Sequence, residues 1–241
     1  MAIFAAALTA RAKSRGSTPD LNEGLAAIER ALTLPDESDS DRAIQLVNKS
    51  ALIGVHYGIG KDPEDIRRQI GLCREALDLL PDGHPKKGVY RANLVGAYLD
   101  LYRSTDDTTA LELALAAGDR ALSEIRADHP RRGGVLSNQA VALIRSAEEE
   151  YDEAKLREAV RLSTEALGLL PEASPADARL LVNRGSALYL CGRPEDQVLA
   201  LQDRSTAALS EAAPPDVRMT AATGWARRCG ELGRWDEAVK A

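Results

Sequence analysis

The chain repeats itself at a step of 45 residues: Asn48 recurs as Asn93, Asn138 and Asn183, and Ala31-Leu32 recurs as Ala76-Leu77, Ala121-Leu122 and Ala166-Leu167. Asp62 recurs as Asp107 and Asp152, with Ser17 in the earliest copy. Self-similarity at a fixed period of this length marks an array of supersecondary units, each too small to hide its apolar face alone. The copy from Asp62 to Tyr102 reads as two amphipathic helices joined by a Pro-bearing turn. We call the helix that precedes each Asp or Ser turn A, and the one that follows it B.

Within B, the apolar columns Leu21/Ile66/Leu111/Leu156 and Leu25/Ile70/Leu115/Val160 lead into the Ala-Leu pair. Their offsets keep one stripe facing inward at the helical period. The recurring Ala suits a point where two helices nearly touch. The first B helix is expected over Thr18 to Leu34 with Ser17 as its cap, and later ones begin at Asp62, Asp107 and Asp152. These side chains can accept the orphan amides of a first turn. Asp39-Ser40, His84-Pro85, His129-Pro130 and Ser174-Pro175 mark the starts of A helices, with Asp39 and Ser174 as caps and His84 and His129 as turn residues. Proline is tolerated there because the amide it lacks had no partner. The fifth copy slips: Leu167 is followed by Leu209, a step of 42, and GRPEDQ replaces a longer turn.

These features predict an all-α fold, a right-handed α-solenoid of about eleven helices. A single array over residues 1–241 is expected, with about five repeats and a partial one. The opening MAIFAAALTARA lacks the basic segment of a signal peptide and fits a helix A entered part-way; the tail ELGRWDEAVKA stops inside a helix B. The chain is therefore expected to be a piece of something longer. A net charge of −6 argues against the basic stripe that nucleic-acid binding requires. No apolar run reaches the ~20 residues of a membrane span. Cys73, Cys191 and Cys229 are odd in number and form no C-x-x-C pair, which fits buried thiols in a reducing cytoplasm. No phosphate loop, metal-ligand cluster or nucleophile–base arrangement stands out, so no cofactor, metal or intrinsic catalytic residue is expected.

Helix pairs with a small-residue column, an Asn-bearing helix A and endings such as ELGRWDEA resemble tetratricopeptide (TPR) repeats, although the period here exceeds that family's usual 34. The phrases DLNEGLAAIERALTL, DIRRQIGLCREALDLLPDGHP and NLVGAYLDLY are similar to the repeats that precede the CHAT domain in bacterial, especially actinobacterial, proteins. The resemblance covers residues 2–241. It implies a sensing or recruiting region N-terminal to a caspase-like His/Cys peptidase module, with no catalytic residue carried onto this chain.

The candidate binding residues are Asn48, Asn93, Asn138 and Asn183. Asparagine is an inferior helix former, so its recurrence inside helix A needs a reason. One is a ladder of carboxamides on a concave surface, each offering a donor and an acceptor to the backbone of an extended peptide. The other is a structural bond to a neighbouring helix or loop. Seven residues after each Asn stand Val55, Asp100, Arg145 and Leu190, a variable column beside the constant one. Four residues after, Ala97, Ala142 and Ala187 are expected to leave room for a partner, with Leu52 breaking the column. A peptide or protein partner is thus expected, with Asp100 and Arg145 adding charge selectivity. The alternative is a self-association or bracing module without a ligand groove.

Overall fold

The computed structural model describes residues 11, 18–33, 38–170, 174, 177–234 and 236. The B-helix stripes and cap residues found in the sequence produce ten helices among the described residues, with no strand. They are α1 (Thr18–Leu32), α2 (Asp39–Gly60), α3 (Pro63–Asp78), α4 (Lys87–Thr105) and α5 (Thr108–Glu124), then α6 (Arg132–Glu149), α7 (Glu153–Gly168), α8 (Asp177–Cys191), α9 (Pro194–Leu209) and α10 (Pro215–Glu231). The chain forms two compact units, one reaching to Arg126 and the other starting at Ala127.

In the first unit α1, α3 and α5 are B helices, α2 and α4 are A helices, and each helix packs on the next. Three of the four expected B-helix caps lie among the described residues, and all three form. Asp62 accepts from the Glu64 amide at 2.9 Å, Asp107 from the Thr109 amide at 2.9 Å, and Asp152, in the second unit, from the Lys155 amide at 3.1 Å. Ser17, Leu34 and the opening segment lie outside the described residues. The leading column Leu21, Ile66 and Leu111 is buried. So are Ala31, Ala76 and Ala121, and beside the last of them two helices approach closely. Gly88 of α4 lies so near the C-terminal end of α5 that a Cβ there would meet the Ile125 nitrogen at 3.0 Å and the Ala121 carbonyl oxygen at 3.2 Å. Ala121 itself is fully buried, so a larger residue there must displace its neighbours.

The A helices begin differently from expectation. Helix α2 is capped by Ser38, which accepts from the Asp41 amide at 3.1 Å, and Asp39 is its first residue. Helix α4 starts at Lys87 and α6 at Arg132, each after the His-Pro pair. The reason is local: the His84 ring accepts from the Lys86 amide at 3.3 Å and the His84 carbonyl from the Lys87 amide at 3.0 Å, closing a turn before the helix. His129 does the same with the amides of Arg131 at 3.1 Å and Arg132 at 2.9 Å. Both histidines are turn residues.

In the second unit α6, α8 and α10 are A helices and α7 and α9 are B helices. Sequential helices pack together, and α8 also touches α6 and α10. Its core around α8–α10 is built from Ala178, Leu201, Ala207, Ala208, Ala221, Trp225 and Cys229. The A-to-B turns after α8 and α10 pass through Gly192 (φ +75°) and Gly233 (φ +70°), a left-handed conformation that glycine adopts without penalty.

Candidate functional site

The four asparagines lie on the A helices, Asn48 on α2, Asn93 on α4, Asn138 on α6 and Asn183 on α8, and each is half-buried. Asn48, Asn93 and Asn138 make no side-chain hydrogen bond among the described residues, whereas Asn183 Nδ2 donates to Ser137 Oγ on α6 at 3.3 Å. In the second unit, then, one carboxamide of the column reaches the residue next to another. The +7 residues are held locally. Asp100 accepts from Arg103 at 2.8 Å and Arg145 donates to Glu148 at 2.6 Å, each within its own helix. Ala97, Ala142 and Ala187 do not leave room for a partner: all three are fully buried against neighbouring helices, and so is Leu52. The small side chains there serve helix–helix contact.

Tyr90, Tyr98 and Tyr102 of α4 are buried, and Arg74 of α3 donates to the Tyr98 hydroxyl through Nε at 3.0 Å and Nη2 at 2.7 Å. Burial pushes the Tyr90 phenol up from its ordinary value. Much of the acidic run from Glu148 to Glu153 is spent nearby: Glu148 on Arg145, Asp152 on its cap, and Glu153 on Arg157 at 3.5 Å and on Arg193. Cys73 and Cys229 are buried, and no described cysteine is in a disulfide. Burial raises the Cys73 thiol, partly offset by its hydrogen bond with Ser50 at 3.0 Å. No cluster of His, Cys, Asp and Glu suited to a metal ion occurs among the described residues.

The most distinctive polar arrangement was missed in the sequence. On α9, Asp203 and Arg204 are adjacent and both buried. Asp203 receives a two-pronged bond from Arg184 of α8, with Nε at 2.8 Å and Nη2 at 2.7 Å. Arg204, only 8% exposed, has no carboxylate partner among the described residues; its one hydrogen bond runs from Nη2 to Ser186 Oγ at 3.1 Å. Its guanidinium fills the space beside Gly224 of α10, where a Cβ would fall 1.9 Å from Nη1. It lines a cleft of about 640 Å³ in the second unit, whose walls include Asp216, Met219, Thr220, Thr223 and Arg227. Burial, then repulsion from Arg227, holds the Arg204 guanidinium below the ordinary arginine value, with Tyr189 acting weakly the other way.

A signal for this was present once the slip is followed. The structure corrects the 42-residue step to 41, since α7 (Glu153–Gly168) and α9 (Pro194–Leu209) are equal in length; that step carries Ser163 to Arg204, and earlier copies have Gly118, Cys73 and Ile28 there. The 41-residue step between the turn glycines Gly192 and Gly233 carries Asn183 to Gly224. In the last copy an arginine has replaced a core residue, and the asparagine position is empty of side chain. The guanidinium occupies that vacated space.

No family model matches this chain, and no curated protein matches it. Among solved structures, the chain is similar to the nearly identical TPR-like repeats of a Podosopora anserina protein assigned as a kinesin light chain. That crystal structure shares 18% identity with a TM-score of 0.52, over 85% of this chain and 93% of that one. The likeness is one of fold: the chain has an all-α, TPR-like repeat architecture.

Proposed function

We propose that the chain is a scaffold that captures a peptide or protein partner, an extended segment being held on A-helix faces by carboxamide-to-backbone hydrogen bonds. TPR-like repeats generally mediate protein–protein interaction and are not catalytic scaffolds as a rule, which favours this class over an enzyme. The observation that carries the reading is that Asn48, Asn93 and Asn138 are half-buried yet make no side-chain hydrogen bond among the described residues. None of their amide atoms is among the buried unpaired polar atoms, so these carboxamides are open to solvent and to a ligand. Each of these leaves a donor and an acceptor matched to a peptide group.

The test is to select peptide ligands from a random library displayed on phage, then titrate the best of them against the chain and against Asn93→Ala/Asn138→Ala. Loss of binding with an unchanged melting temperature is expected. A large fall in melting temperature, or undiminished binding, would return these residues to a structural role.

The finer reading, a recruiting region ahead of a caspase-like CHAT module, is supported by the repeat phrasing alone. It predicts that the native reading frame continues into a strand–helix region with one His and a later Cys. A bracing or self-association role has one observation of its own, the exposed Val198 (70%) and Leu209 (64%) on α9. It predicts a dimer in sedimentation velocity that Val198→Glu dissolves. A monomer throughout would leave only the capture reading.

A further inference from the structure

Burying an arginine without a counter-ion is costly, and proteins normally pair such a group. Arg204 departs from that rule in a setting where a partner was at hand. Asp203, the adjacent carboxylate, has both oxygens engaged by Arg184. Asp216, at the cleft wall, is exposed and lies 3.9 Å from Arg179. Glu231, below Tyr189, is bonded to Arg228 at 2.8 Å and to the Tyr189 hydroxyl. Asp203 and Glu231 are thus committed elsewhere, and Asp216, exposed at the rim, forms no ion pair with Arg204 among the described residues. The hydroxyls of the cleft are committed too: Ser186 donates to the Val182 carbonyl, Thr220 to that of Asp216 and Thr223 to that of Met219, each at 2.8 Å. The cleft's open N–H donors are those of Arg204 and of Arg227, whose guanidinium sits 5.7 Å from the Tyr189 ring centroid and forms no ion pair among the described residues.

We propose that Arg204, with Arg227 at the mouth, forms an oxyanion site for the side-chain carboxylate of an acidic residue in a bound peptide. The guanidinium fork matches a carboxylate in two-pronged fashion, and the low-dielectric wall strengthens the bond. An entering anion removes two penalties together, the uncompensated burial of Arg204 and its repulsion by Arg227. A monoanion suits the cleft better than a phosphate dianion because Asp216 already borders it. The site sits where the last copy lacks its asparagine, so a charged contact stands in for a carboxamide. This deepens the peptide-capture reading and rests on it for the carrier of the carboxylate.

The experiment uses the full chain with arginine labelled at 15Nε and glycine at the backbone nitrogen. N-acetyl-glutamate N-methylamide is titrated against it, with the glutamine analogue, chloride and inorganic phosphate in parallel. A saturable shift of the Arg204 Nε–H and Gly224 amide signals with the glutamate compound, and none with its glutamine analogue, is expected. Arg227→Ala, at an exposed position, should weaken the response severalfold, and Arg204→Leu should abolish it at Gly224 while Arg204→Lys restores part. No response, or an equal response to chloride, overturns the site. A response to phosphate without one to the glutamate compound overturns the carboxylate assignment in favour of a phosphorylated carrier. Failure of the carboxamide ladder alone would appear only in the peptide titrations.

Discussion

Asp203 binds Arg184 through both oxygens, while its neighbour Arg204 faces the cleft with one hydrogen bond to Ser186. The two residues therefore respond oppositely to substitution. Asp203→Asn leaves Arg184 with an uncompensated charge in a largely buried position and is expected to cost about 3 kcal/mol in urea unfolding. Arg204→Leu, which places an apolar residue at a position that Cys73 and Ile28 hold in earlier copies, is expected to stabilise by about 1 kcal/mol and to raise the melting temperature. A gain in stability with a loss of anion response would mark Arg204 as kept for binding. Cys73 gives a third residue-scale expectation. Buried, with its thiol pushed up, it should resist iodoacetamide in the folded chain at pH 8 and react once the chain is unfolded in urea. The role of Cys73 was legible as a core thiol in a helix. That of Arg204 was not, because a fixed step of 45 runs out at the fourth copy, where the spacing between α7 and α9 shortens to 41 and the Leu167–Leu209 match is one residue out of register.

At the scale of helices, the close contact between α4 and α5 decides which changes are tolerated. Ala121→Leu adds bulk at a fully buried position, and about 1–3 kcal/mol of destabilisation is expected from overpacking. Gly88→Val tests the same contact from the other helix. Caps set a smaller scale: Asp62→Ala and Asp107→Ala each remove an acceptor from a B-helix first turn and should cost about 1 kcal/mol by thermal unfolding. The B helices were readable because two periods agree. The 3.6-residue stripe fixes the buried face, and the 45-residue step repeats the same cap before it. The A-helix starts were less readable because His-Pro looks like a first-turn proline. The imidazole instead accepts a backbone amide two residues on and closes a turn ahead of the helix. Ala97, Ala142 and Ala187 misled for a related reason: a small side chain marks close approach, but sequence cannot tell a neighbouring helix from a ligand.

For the molecule as a whole, repeat stacking makes stability a sum of neighbour terms. In the second unit, Asp203→Asn should therefore speed amide hydrogen exchange in α8–α10 well before it does so in α6 and α7. Uniform acceleration across that unit would instead point to all-or-none opening. No described helix is long and apolar enough to cross a membrane. The packing of Arg204 beside Gly224 has one more consequence, for how such an array can be copied or recombined. A side chain restored at 224 collides with the guanidinium, and a small residue at 204 leaves a hole where it lay. The two sites form a linked genotype: a duplicated or shuffled copy must take both or neither, and variants at either position should show strong epistasis with the other.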